Sequence, residues 1–208
     1  MSLKILFAGD FHAREELLEG CREELEAGDY DLYVNAGDYM DLEYAERLFE
    51  DLDVAAVGTT GNRDLHMTEE DLEELPVFHF LEADIDDEYK LILIGGDFPE
   101  DVQEKVAKMV DGVDSEKLII CSHYPPKKVG DKINSGKRIG FDQFRRMIMK
   151  HKPALWVNGH VHEDFGEREL LGTKVLNASS FDDGQAFSAL IKDDGSIETE
   201  EVTLLEIE

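Results

Sequence analysis

Ala154-Leu155-Trp156-Val157-Asn158-Gly159-His160-Val161-His162 is an apolar run of strand length that ends in a glycine and two histidines one residue apart. In an extended backbone residues i and i+2 face the same side. His160 and His162 are therefore expected to aim at one spot beyond the carboxyl end of a strand, while Val161 turns back into the protein. Histidine is the commonest metal ligand, and two aimed together point to a metal site. Taken alone, the stretch reads equally well as two unrelated polar residues in a loop.

Four other segments repeat the pattern of apolar run, small residue and metal-capable side chain. Leu3 to Ala8 leads into Gly9-Asp10-Phe11-His12, and Leu32 to Ala36 into Gly37-Asp38. Val54 to Val57 leads through Gly58-Thr59-Thr60 into Gly61-Asn62-Arg63-Asp64, and Leu118 to Cys121 into Ser122-His123. Ligands of open α/β sheets gather at the carboxyl ends of strands, so the five endings are expected to converge on one crevice.

The 208 residues, 42% hydrophobic, can bury one good core and read as a single domain over residues 1–208. No apolar run approaches the ~18 residues of a membrane span, and the first residues read as a strand, with no signal peptide. Cys21 and Cys121 make no disulfide framework and read as packing residues. A cytoplasmic protein is expected. Forty-nine acids against 21 bases give a net charge of −28, which argues against nucleic acid and anionic membranes as partners. Nine of those bases nevertheless fall between Lys127 and Lys152, opposed only by Asp131 and Asp142, so a local positive patch beside a cleft could draw in an anionic substrate.

Periodicity and breakers predict helices over Arg14–Ala27, Asp41–Asp51, Thr68–Leu75, Pro99–Val110 and Phe141–Lys150. Besides the five endings, strands are expected at Pro76–Phe80 and Tyr89–Ile94. After His162 a meander of hairpins is expected through Glu167–Leu171, Thr173–Asn177, Gln185–Lys192 and Ile197–Ile207. Tyr124 to Gly140, with two prolines and three glycines, is a long loop of the kind usually tied to function. An α/β first part with a β-rich tail implies two sheets packed face to face, with helices outside.

Asp10, His12, Asp38, Asn62, His123, His160 and His162 offer two carboxylates, one amide oxygen and four imidazoles. Seven ligands exceed one tetrahedral ion but suit two ions sharing a bridge, which either Asp10 or Asp38 could supply. Mixed nitrogen and oxygen donors without thiolate favour Mn, Fe, Co, Ni or Zn, with Mn the first choice. Two divalent ions bring about +4; two aspartates and one hydroxide subtract three, leaving about +1. Such a site suits a phosphate ester, with two ions about 3.5–4 Å apart holding phosphate oxygens and supplying the attacking hydroxide.

In this order, Asp10-x-His12, Gly37-Asp38, Gly61-Asn62-x-Asp64, Ser122-His123 and Gly159-His160-x-His162 resemble the signature of the calcineurin-like metallophosphoesterase family. Gly172-Thr173 and Asn177-Ala178-Ser179 are similar to the C-terminal segments of its small members. The resemblance implies a four-layer α-β-β-α sandwich of two mixed sheets around a dimetal site. By that pattern Asp10, His12 and His162 bind one ion, Asn62, His123 and His160 the other, and Asp38 bridges them. Asn62, Arg63, Asp64 and His123 form the implied catalytic set, with Asp64 expected to support the Asn62 loop rather than bind metal.

One position departs from the family. Where it often carries a histidine after the motif asparagine, this chain has Arg63. Arginine stays charged, so it can clamp a phosphate but cannot deliver a proton. Phosphodiesters are therefore expected over monoesters, because poor leaving groups need proton delivery. His66 is a candidate donor, weighed against a plain surface histidine. Lys127 and Lys128, soon after His123, are expected to join Arg63 in binding substrate. The competing readings are a nuclease, which the charge opposes, and a non-catalytic protein-binding scaffold of the same fold, as in the phosphoesterase-like subunit of retromer. The oligomeric state is not legible.

Overall fold

The computed structural model describes residues 2–85 and 88–206. The elements run in chain order: β1 (Leu3–Ala8), α1 (Glu15–Ala27), β2 (Leu32–Asn35), α2 (Leu42–Phe49), β3 (Ala55–Thr59), α3 (Glu69–Leu72), β4 (Val77–Phe78), β5 (Phe80–Ile85) and β6 (Tyr89–Ile94). The second half adds α4 (Val102–Met109), β7 (Leu118–Ser122), α5 (Asp142–His151), β8 (Leu155–Asn158), β9 (Gly166–Leu170), β10 (Thr173–Asn177), β11 (Gln185–Ile191) and β12 (Ile197–Thr203). They form two six-stranded sheets, ordered β12-β11-β1-β2-β3-β4 and β5-β6-β7-β8-β10-β9.

Both sheets are mixed. β1 to β4 run parallel, β11 lies antiparallel beside β1, and β12 pairs antiparallel with β11 at the edge. β6, β7, β8 and β10 run parallel, between the antiparallel edge strands β5 and β9.

Side-chain alternation explains why these strands read as continuous apolar runs. Leu3, Ile5 and Phe7 of β1 pack between the sheets, whereas Leu6 and Ala8 face α1 and α2. In the other sheet Leu91 and Leu93 of β6 point inward, while Ile92 and Ile94 meet the side chains of α4 and α5. A sheet covered on both faces needs apolar residues at every position. Three cores therefore separate four layers, helix on sheet on sheet on helix. Cys21 and Cys121 are free thiols buried in two of these cores.

The structure departs from the sequence reading in one consequential place. Pro76 to Phe80 is not one strand: β4 ends at Phe78 in the first sheet, and β5 starts at Phe80 in the second. His79 is the switch between sheets, its carbonyl accepting from the Gly95 amide at 2.8 Å. β5, which lacks a long apolar run because it lies at an edge, was not expected. The final strand stops at Thr203, and Ile207 lies outside the described residues.

Because β1, β2 and β3 are parallel in one sheet and β7 and β8 in the other, their carboxyl ends meet along one rim. Hydrogen bonds tie the turns across it. Asp10 N donates to the Gly37 carbonyl at 2.8 Å, Gly96 N to Thr60 at 2.8 Å, and Gly159 N to His123 at 3.1 Å.

Candidate metal centre

Three of the five turns, those after β1, β2 and β8, are held in strained backbone. Among the described residues, 11 non-glycine residues have positive φ, and six of them, Asp10, His12, Ala13, Asp38, Met40 and His160, lie on these turns. Each such conformation costs on the order of 1 kcal/mol and persists only where the surroundings enforce it. Glycines let the turns approach. A Cβ on Gly61 would sit 2.0 Å from Asp38 Oδ1, and one on Gly159 2.3 Å from Asp10 Oδ2.

The seven expected ligands come together around two buried carboxylates. Asp10 Oδ2 accepts from the His160 amide at 2.8 Å, leaving Oδ1 3.6 Å from His162 Nε2 and 4.0 Å from His12 Nε2. Asp38 faces both halves: Oδ2 lies 3.4 Å from His12 Nε2, and Oδ1 lies 3.6 Å from His123 Nε2. Asn62 Oδ1 is 2.9 Å from His123 Nε2. The metal-capable atoms form two overlapping groups, Asp10 with His12 and His162, and Asp10 with Asp38 and His123, each within 4.8 Å. His160 packs beside the second group, its ring 5.1 Å from His123 and 4.6 Å from Tyr124.

The pleat is not what aims His160 and His162. β8 stops at Asn158, His160 has φ of 73°, and His162 opens a short 3-10 turn. The two rings consequently lie apart, His162 beside His12 and His160 beside His123. Val161 does turn inward and is fully buried.

The donor chemistry fits a cation. The Nδ1–H of His123 donates to the Ala36 carbonyl at 2.9 Å, which leaves Nε2 facing two oxygens, Asn62 Oδ1 and Asp38 Oδ1. Lone pairs then converge on lone pairs in this orientation of Asn62, an arrangement that a proton or a metal ion among them would relieve. Asp10 Oδ1 is buried and makes no hydrogen bond among the described residues. His12 and His162 present their Nε2 atoms to each other at 3.1 Å.

Burial and neighbours pull the titrating groups apart. Burial is the main force raising the Asp38 carboxyl, and repulsion from Asp10 adds to it against the pull of His123. Burial also pushes Asp10 up, yet His162 and His123 outweigh it and hold this carboxyl below its ordinary range. His160 is driven down to about 4 by burial, with His123 adding to the effect. Burial opposes the charged form of His162 too, but Asp10 raises its pKa overall. Displaced titrations of this kind cluster at functional sites.

The remaining predicted residues fall into distinct places. Asp64 is fully buried; Oδ2 accepts from the amides of Asp38 at 2.8 Å and Gly61 at 2.7 Å, and Oδ1 from Met40 at 3.0 Å. It ties the turn that carries Asp38 to the turn that carries Asn62. Arg63 anchors Asp38 Oδ1 through its own amide at 2.8 Å, while its side chain is exposed and unpaired among the described residues. Its charge reaches the centre and helps lower the His12 pKa, after burial and His162. His66 is exposed.

The two lysines stand in different surroundings. Lys127 Nζ donates to the Arg138 carbonyl at 3.0 Å, so this ammonium serves the loop itself. Lys128 is exposed, with no side-chain partner among the described residues. The loop is built on buried Asp131, which accepts from Lys128 N at 2.8 Å, Gly140 N at 3.2 Å and Arg138 Nη1 at 2.6 Å. It docks beside His162, where Lys132 N donates to Asp164 at 2.9 Å.

Three neighbours were missed from sequence. The Tyr124 ring flanks His123 and His160, and the Phe181 ring lies 4.9 Å from both His12 and His162. Arg14 holds Phe181 in turn. Tyr124 could have been noticed beside His123. Phe181 and Arg14 are 167 residues apart in the chain, and no local pattern links them.

Solved structures share this architecture. GAP50, the anchor in the inner membrane complex of Plasmodium, is 12% identical with a TM-score of 0.71, over 98% of this chain and 85% of that one. TT1561 of Thermus thermophilus is 14% identical with a TM-score of 0.69, over 96% and 99%. An archaeal phosphodiesterase is 17% identical with a TM-score of 0.53, over 96% and 100%. Identities this low speak for the fold alone. No curated protein sequence matches the chain. The family model described as Calcineurin-like phosphoesterase matches residues 3–164, which hold all five ligand-bearing turns. The chain belongs to the calcineurin-like family of metal-dependent phosphoesterases.

Proposed function

We propose that this protein hydrolyses small phosphate esters, diesters in preference to monoesters, using two divalent ions with Mn the first choice. Asp10, His12 and His162 would hold one ion and Asn62, His123 and His160 the other, with Asp38 reaching both. One observation carries the reading: the two oxygens of Asp38 face His12 and His123 at 3.4 and 3.6 Å, as a bridging carboxylate requires. When bound, two such ions supply a nucleophile at neutral pH and Lewis-acid stabilisation of the phosphoryl oxygens.

The chain's own residues set the rest. The Ala36 carbonyl fixes the tautomer of His123, so that its Nε2 lone pair points into the centre. The His160 amide orients Asp10, and the Arg63 amide orients Asp38. The Arg63 guanidinium binds a non-bridging phosphate oxygen and keeps its proton, so the leaving group must depart without help from this position. This disfavours esters of poor leaving groups, the basis of the preference for diesters. Lys128, rather than Lys127, is the loop cation free to meet the remote part of a substrate. The two buried, free cysteines are compatible with a reducing compartment, and cytoplasm is part of the reading. No helix among the described residues is long and apolar enough to cross a membrane.

The test is turnover of bis(p-nitrophenyl) phosphate and p-nitrophenyl phosphate by the full chain with added Mn, beside Asp38→Asn. Diester turnover above monoester turnover, lost in Asp38→Asn, is expected. No turnover of either ester by protein that binds Mn overturns the reading in favour of a protein-binding scaffold.

A further inference from the structure

His123 has its Nδ1 fixed by a carbonyl, whereas His12 and His162 have no such support. Among the described residues neither ring makes a hydrogen bond through Nδ1; their polar contacts all run through Nε2, to each other at 3.1 Å and to the carboxylates of Asp10 and Asp38 at 3.4–4.0 Å. Metal-binding histidines ordinarily rely on an outer partner for orientation. What both rings touch instead is Phe181. Its centroid lies 4.9 Å from His12 at 68° and 4.9 Å from His162 at 42°, while the two imidazoles meet edge-on at 4.8 Å.

Phe181 is itself pinned. Arg14 Nη1 donates to the Phe181 carbonyl at 2.6 Å, and its guanidinium carbon sits 5.4 Å from the ring centroid. In a chain with 49 acids, this arginine makes no ion pair among the described residues. Arg14 is fixed at the start of α1, where its carbonyl accepts from the Tyr44 hydroxyl at 2.7 Å. The Phe181 turn is tied to the site from the other side as well. Ser180 N donates to the Gly9 carbonyl at 2.9 Å, and Asn177 Nδ2 to the Val161 carbonyl at 2.6 Å. The turn thus bridges the residues just before Asp10 and just before His162.

We propose that Phe181, held by Arg14, is the positioning residue that orients His12 and His162 as a pair for one divalent ion. Phe181 lies beyond the segment matched by the family model, so the C-terminal meander completes a half-site whose ligands all come from the earlier turns. A flat ring against two imidazoles restricts their χ2 rotation and excludes water from one side, doing by packing what a carbonyl does for His123. The inference rests on the metal reading given above.

The experiment is calorimetric titration of the metal-free full chain with Mn²⁺, for wild type, Phe181→Ala, Phe181→Leu and Phe181→Tyr, with circular dichroism as the check on folding. Two binding steps are expected in wild type. In Phe181→Ala one step weakens ~10-fold or more and the other stays in place, the range seen when outer partners of metal ligands are removed. Phe181→Tyr, which keeps the ring, restores the weakened step. Phe181→Leu keeps bulk without a flat ring and weakens the same step, and it decides the matter if Phe181→Ala does not fold. Wild-type affinity in Phe181→Ala or in Phe181→Leu overturns the proposal alone. Wild-type protein that binds no Mn²⁺ overturns the metal reading, and this proposal with it.

Discussion

The backbone amide of Asp38 donates to Asp64 Oδ2 at 2.8 Å, which joins the turn after β2 to the turn after β3. The same carboxylate takes the amides of Gly61 and Met40. Asp64→Ala leaves three amides without their acceptor, and leaving even one buried donor unsatisfied costs about 1–3 kcal/mol. A loss on the order of 3 kcal/mol or more is expected in denaturant unfolding of metal-free protein. Asp64→Asn should not restore stability fully, because its NH₂ opposes N–H groups. Unfolding midpoints equal to wild type would falsify the role of Asp64 as a staple.

Gly159 leaves room for Asp10. A methyl group there would lie 2.3 Å from Asp10 Oδ2, so Gly159→Ala must move a metal-facing carboxylate. Overpacking of this sort costs about 1–3 kcal/mol. The expected result is a folded protein, by circular dichroism, whose Mn affinity falls at least about tenfold, given that each 1.4 kcal/mol is a factor of ten. Unchanged affinity would show that Asp10 is not a ligand in this position.

Metal affinity should rise with pH through the neutral range. Burial and the nearby Asp10 keep a proton on Asp38 at higher pH than an ordinary carboxylate, and Asp10 does the same for His162 against the effect of burial. A protonated ligand cannot bind an ion, so the proton competes with metal as pH falls. Each proton displaced costs about tenfold in affinity per pH unit below the group's pKa. Calorimetry between about pH 5.5 and 8, in buffers of different ionisation enthalpy, would count the protons released. A pH-independent affinity would contradict the assignment of Asp38 and His162 as ligands.

Arg63→Ala removes an exposed guanidinium whose charge reaches the centre. Hydrogen bonds to charged groups contribute about 1.5–3 kcal/mol, so kcat/KM for a diester should drop at least about tenfold. Arg63→His is the informative companion. A histidine can deliver a proton, so turnover of esters with poor leaving groups should increase relative to p-nitrophenyl esters. If Arg63→Ala leaves kcat and KM as they were, the guanidinium does not contact phosphate.

Exposed His66 is expected to be dispensable: His66→Ala should retain the acidic limb of the pH–rate profile. Loss of that limb would make His66 the proton donor after all.

Much of this protein is written in local pattern. Gly-Asp-x-His, Gly-Asp, Gly-Asn-x-Asp, Ser-His and Gly-His-x-His after apolar runs locate the strand ends and name the seven side chains that the structure gathers. Strands covered on both faces must be apolar throughout, so their positions are legible without any tertiary information. The switch of sheets at His79 is not, because a two-residue strand and an edge strand bury too little to leave a signal.

The candidate ligands, most of the elements in their order and the layered fold were determined by the sequence itself, since each comes from hydrophobic period and residue chemistry within a few neighbours. Only the tertiary structure decided how the two histidine rings come to lie apart: His160 and His162, two residues apart, sit beside His123 and His12 respectively because the strand ends before them and His160 adopts a left-handed backbone. It also decided that Lys127 is engaged by Arg138, and that Phe181 packs on His12 and His162. Those contacts join segments far apart in the chain, and their energies depend on distance in space, which no local period encodes.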